Sequence, residues 1–148
     1  MAVSRIELNE RTPAPAGEDE CWLPRSPKSP GFARKLLDNL LARVEGGERF
    51  AEAGELVASE LVANAVRHGT RRDQLVWVHL DVDEVRLRIE VHDASSTYPV
   101  VQGLDLEQES GRGLLLVEEL SERWGCGPRP VGIGKVVWAV VPAARGGC

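Results

Sequence analysis

The sequence predicts an α+β fold, a two-layer sandwich with helices on one face of a mostly antiparallel sheet. Three observations carry this. Residues 75–93 hold two alternating segments joined by the tight Asp83-Glu84 connection, which reads as an antiparallel hairpin. Two segments before it carry apolar residues at helical spacing. A third helical segment and two further short strands follow, so strands and helices do not alternate as they would in a parallel sheet.

Taken in order, residues 1–19 are polar and Pro-rich, the composition of a loose arm. Cys21-Trp22-Leu23 starts the sheet. Pro24, Pro27 and Pro30 keep the next stretch out of helix. From Phe32 to Val44, the residues Phe32, Leu36, Leu37, Leu40 and Leu41 recur at helical spacing, and Gly46-Gly47 stops the helix. A second helix spans about Phe50 to His68 and ends at Gly69. Strands are expected over Leu75–Val82 and Val85–Asp93. Residues 94–110 are too long and polar for a simple turn, which marks a mobile loop. Gly111-Arg112-Gly113 opens a helix through about Arg123. Trp124-Gly125-Cys126 begins another strand, and Lys135–Val141 is the last, ended by Pro142. The domain is therefore placed at residues 20–142, with 143–148 as a tail.

Composition narrows the function classes. A chain of 148 residues suits one domain with a real core. The net charge of −5 argues against nucleic acid as the main partner. No apolar run approaches the ~20 residues of a membrane span, and charged residues recur from Arg5 to Glu20 where a signal peptide would be apolar. Cys21, Cys126 and Cys148 form no CxxC pair and read as thiols of a reducing cytoplasm. The histidines His68, His79 and His92 make no metal cluster in sequence. No P-loop or dinucleotide fingerprint occurs, and no elbow motif supports a serine nucleophile at Ser59, Ser95 or Ser96.

Three places carry candidate chemistry. In the second helix, Glu60, Asn64 and Arg67 share one stripe, with Ala58, Leu61, Val62 and Ala65 on the opposing face. An asparagine carbonyl suits a hydrated Mg²⁺ carrying phosphate oxygens, and a carboxylate one turn away can orient a hydroxyl. A solvated helix face with a local hydrogen bond explains the same pattern. In the strand Val85–Asp93, Val85, Leu87, Ile89 and Val91 face the core, while Arg86, Arg88, Glu90 and His92 face outward. Asp93 continues the inward register, where a carboxylate needs donors. The exocyclic amine of adenine is one such donor; a strand-end cap at Ala94-Ser95-Ser96 is the other reading. Third, Ser110-Gly111-Arg112-Gly113-Leu114 enters a helix, whose first amides and an arginine fork suit an anion. A merely flexible helix start explains it equally simply.

In order and spacing these pieces resemble the GHKL, or Bergerat-fold, ATPases, closest to the anti-sigma-factor serine/threonine kinases of bacteria. The resemblance spans roughly residues 20–141. Glu60-Leu61-Val62-Ala63-Asn64-Ala65-Val66-Arg67-His68 is similar to the N box, Asp93-Ala94-Ser95 to the first glycine box, and Gly111-Arg112-Gly113-Leu114 to the second. The resemblance implies Glu60 as the base and Asn64 as the Mg²⁺ ligand. It implies Asp93 and Ser95 at adenine, and Arg67 with Gly111, Arg112, Gly113 and Leu114 around the phosphates of ATP. It implies a STAS-type anti-anti-sigma protein and a sigma factor as partners, and dimerisation as common among relatives. Two positions depart from the pattern. Ser95 and Thr97 replace the glycines of the first box. In the closing segment Gly134-Lys135-Val136-Val137-Trp138, the position of a usual adenine-bridging threonine is read as Val136. A nucleotide-gated binding module without catalysis is the alternative function.

Overall fold

The computed structural model describes residues 15–69, 74–94, 109–130 and 133–144; the side chains of residues 69 and 109–112 lie outside that description. Among the described residues are five strands: β1 (Gly17–Leu23), β2 (Val76–Val82), β3 (Arg86–Asp93), β4 (Arg123–Pro128) and β5 (Lys135–Pro142). Three α-helices accompany them, α1 (Ser29–Ala42), α2 (Ala51–Asn64) and α3 (Glu109–Leu120). The strands form one sheet in the order β1-β2-β3-β5-β4, and every pairing is antiparallel. The expected α+β architecture is present.

Alternation along the strands builds the core. Val76, Val78, Leu80 and Val82 of β2, Leu87, Ile89 and Val91 of β3, and Val137, Ala139 and Val141 of β5 share the inner face. Against them pack Leu37, Leu40 and Leu41 of α1, Val57, Ala58, Leu61 and Val62 of α2, and Leu114 and Val117 of α3. Phe50 is also fully buried there, in a short 3₁₀ turn (Gly47–Phe50) that links α1 to α2. Gly46 precedes that turn at φ 75°, the left-handed conformation that glycine adopts without steric cost.

Several boundaries differ from the sequence expectation, for local reasons. β1 begins at Gly17, so Gly17–Asp19 belong to the sheet and not to an arm; residues 1–14 lie outside the described residues. Polar Glu18 and Glu20 concealed the strand because they occupy its outer face. α1 begins at Ser29, with Pro30 in the first turn, where its missing N–H costs nothing. The Ser29 hydroxyl donates to the Pro24 carbonyl at 2.5 Å. α3 starts at Glu109, ahead of Gly111, and stops at Leu120, leaving Arg123 to open β4. Val85 is 55% exposed, because it sits in the hairpin turn and not in β3. There the Asp83 carboxylate accepts from the amides of Val85 and Arg86, each at 2.7 Å.

The outer sheet face is the largest departure. Arg88, Glu90 and His92 do point away from the helices, yet each is nearly fully buried, as are His79 and Asp81 of β2. Val136, Trp138 and Val140 form a second, separate apolar cluster on that face.

Candidate functional site

α2 delivers the first part of the site. Its apolar face is locked to the sheet by Val57, Ala58, Leu61 and Val62. Glu60 and Asn64 therefore stand at the margin of that packing, both half-buried. Regular α-helix ends at Asn64, and a single π-helical turn, Ala65–Gly69, follows. Such turns displace the register of side chains and concentrate at functional positions. Arg67 lies in this turn, and its Nε donates back to the Ala63 carbonyl at 3.4 Å. Arg25, from the β1–α1 connection, ties the turn down by donating to the Val66 carbonyl at 3.0 Å.

Asn64 has an unusual state. Both its Oδ1 and its Nδ2 are buried and find no hydrogen-bond partner among the described residues. A buried amide left so costs about 1–3 kcal/mol per group. The residue thus offers a carbonyl oxygen and an amine that a ligand can satisfy, which is what a Mg²⁺ ion or a phosphate-bound water requires.

α3 faces α2 closely. A methyl group on Gly113 would collide with Oε2 of Glu60, so the Glu60 carboxylate rests directly against the Gly113 backbone. The N box and the second glycine segment, about fifty residues apart in sequence, meet here. Gly111 and Arg112 fall in the first turn of α3, where backbone amides lack intrahelical acceptors and favour anions. Leu114 points elsewhere: it is 2% exposed and belongs to the core, so its side chain holds α3 to the sheet. Ser95 lies outside the described residues.

Asp93 ends β3 on the inner face and is 2% exposed, as its register required. Its partner was not foreseen. Lys135 stands directly opposite on β5, and its Nζ donates to Asp93 Oδ1 at 3.0 Å. Val136 pairs with His92 and turns to the outer face. The residue beside Asp93 is therefore Lys135, and the reading that placed Val136 there is corrected. The sequence signal was available: Asp93 and Lys135 are the inward residues at matching strand ends, but only the register joins them. Gly134, at φ 123°, lets the start of β5 press against the Asp93 carbonyl, where a side chain would collide. Any ligand reaching Asp93 meets an ammonium beside it.

Among the described residues no helix is long and apolar enough to cross a membrane. No curated protein matches the chain. A family model does match, over residues 23–140, and its description is the histidine kinase-like ATPase domain. That span runs from the end of β1 to near the end of β5 and contains Glu60, Asn64, Asp93 and Gly113 in the order described. The chain belongs to the histidine kinase-like ATPase domain family and carries its ATP-binding fold.

Proposed function

We propose that the chain is a Mg·ATP-dependent serine/threonine protein kinase of the anti-sigma type, acting on a STAS-type anti-anti-sigma partner in the cytoplasm and thereby controlling a sigma factor. The observation that carries the reading is the placement of Glu60 against Gly113, one helical turn from the unpartnered Asn64. A protein that only binds nucleotide has no chemical use for a carboxylate there.

In this reading Asn64 holds Mg²⁺ through its carbonyl oxygen. The ion supplies charge neutralisation at the transferring phosphate. The first amides of α3, at Gly111 and Arg112, take phosphate oxygens, and Gly113 gives close backbone approach. Arg67 adds positive charge from the π turn. Asp93 accepts from the exocyclic amine of adenine while Lys135 stays on the same carboxylate. Glu60 accepts the hydroxyl proton of the acceptor serine as its oxygen attacks the γ-phosphorus, the bond from that phosphorus to the β-phosphate oxygen breaks, and ADP leaves. The Leu114 side chain contributes by fixing α3 against the core.

The test is transfer of label from γ-³²P ATP to STAS-domain proteins encoded beside this chain. Glu60→Gln is expected to cut transfer by at least about 100-fold, the usual scale for a general base, with ATP affinity kept. Transfer at the wild-type rate by that variant would remove Glu60 from the mechanism. The Asp93–Lys135 pair favours a second reading, a nucleotide-gated binding module, because adenine must share its carboxylate with a buried ammonium. That reading expects ATP-dependent partner binding with no transfer even in the wild type.

A further inference from the structure

Away from the nucleotide side, the outer sheet face brings three metal-ligating side chains together. His79 and Glu90 are directly opposed across the β2–β3 pair, and Asp81 lies two residues along β2 on the same face. Their donor atoms lie within 4.8 Å of one another, and all three residues are buried. Nδ1 of His79 is 3.6 Å from Glu90 Oε2 and 3.8 Å from Asp81 Oδ2. Donors on a tetrahedral ion with bonds of ~2.0–2.1 Å stand about 3.3–3.4 Å apart. The two separations from the imidazole nitrogen are therefore within about half an ångström of those on an ion.

The surroundings orient the donors. Nε2 of His79 faces Glu18 Oε2 at 3.4 Å, which directs the other ring nitrogen, Nδ1, at the two carboxylates. A carboxylate behind the imidazole is the usual support of a metal-bound histidine. His92 Nε2 sits 3.2 Å from Glu90 Oε1 and leaves Oε2 turned toward His79. Trp77 stacks on His79 at 5.6 Å between centroids and fixes the ring plane. Three carboxylates, those of Glu18, Asp81 and Glu90, stand within 4 Å of the His79 ring. Glu18 is 61% exposed, so the buried His79 ring touches a side chain that reaches solvent.

We propose that His79, Asp81 and Glu90 form a binding site for a divalent first-row transition ion. One imidazole with two carboxylates suits Zn²⁺ or Co²⁺ better than Ca²⁺, which favours oxygen alone. Its position on the outer face, built on the rigid β2–β3 pair, gives it a structural role independent of the nucleotide.

The full chain without a histidine tag, and without nucleotide, is titrated with Co²⁺ and then competed with Zn²⁺. The wild type is expected to bind one equivalent with a ligand-field spectrum, and Zn²⁺ to displace it. Glu90→Gln and His79→Gln are expected to abolish the spectrum. Glu18→Gln, at an exposed position that does not endanger folding, is expected to weaken binding by about tenfold. Asn64→Ala is expected to leave the spectrum intact, which separates this site from the Mg²⁺ position. No stoichiometric binding by the wild type overturns the proposal. So does undiminished binding in both Glu18→Gln and a folded Glu90→Gln.

Discussion

At Gly113, one missing methyl group lets the Glu60 carboxylate lie against the α3 backbone. The colliding atom is the end of a flexible side chain, so Gly113→Ala shifts Glu60 more easily than it disturbs packing. Alanine within a helix also favours folding by roughly 0.5–1 kcal/mol over glycine. The variant is therefore expected to melt at or slightly above the wild-type temperature while losing most phosphoryl transfer; a stable variant with full transfer would contradict the role given to Glu60. Lys135 poses a different question. Removing one member of a buried ion pair costs about 3–5 kcal/mol, so Lys135→Met is expected to lower stability clearly, and added ATP to recover part of it by bringing an amine to the Asp93 carboxylate. If ATP gives this variant no larger thermal shift than it gives the wild type, adenine does not reach Asp93. At this scale Glu60, Asn64 and Asp93 were legible from helical and strand periodicity, because each periodicity fixes a face. Lys135 was not, since the residue opposite Asp93 depends on a register that no local pattern encodes.

Among the elements, α2 was readable because its apolar stripe is wide and continuous, whereas its π-helical ending at Ala65 left no periodic trace. β1 was underestimated for a comparable reason: its outer residues are acidic, and only the pairing with β2 reveals them as strand. The fit of α1 and α2 on the sheet turns on Gly54. A Cβ there would meet Leu87 Cδ2 at 2.7 Å and Leu37 Cδ2 at 3.0 Å. Gly54→Val is expected to destabilise by about 1–3 kcal/mol through overpacking, measured by urea unfolding; an unchanged midpoint would show that the helices do not approach so closely. The salt bridge of Arg86 with Glu122, at 2.7 Å, ties the start of β3 to the α3–β4 junction. The hydrogen bond from Arg86, reinforced by its charge, holds the Glu122 carboxyl below the usual carboxylate range. A depressed carboxyl adds stability above its unfolded value of about 4.3 and loses it as pH falls through the lower folded value. Both groups are largely exposed and solvent screens them, so the effect is small. Acid unfolding below about pH 4 is expected to be slightly steeper in the wild type than in Glu122→Gln.

For the whole molecule, one sheet separates two environments. The inner face carries the apolar core and, at its margin, Asp93, Asn64 and Glu60; the outer face carries the Trp138 cluster and the buried charges around Glu90. The sandwich itself was evident from the sequence of periods, two for strands and 3.6 for helices. The buried outer face was not, because alternation marks opposite sides of a strand and says nothing of whether the polar side is wet. The family match over residues 23–140 agrees with the layout of helices on one face of the sheet. Binding of Mg·ATP at the margin between α2 and α3 is checked by calorimetric titration of Mg·ATP into wild type and Asn64→Ala. Among the described residues the Asn64 side-chain amide makes no hydrogen bond. Asn64→Ala is therefore expected to fold at least as stably as the wild type while binding Mg·ATP at least about tenfold more weakly, the scale of one lost charge-assisted contact. Equal affinity in the two proteins would contradict it.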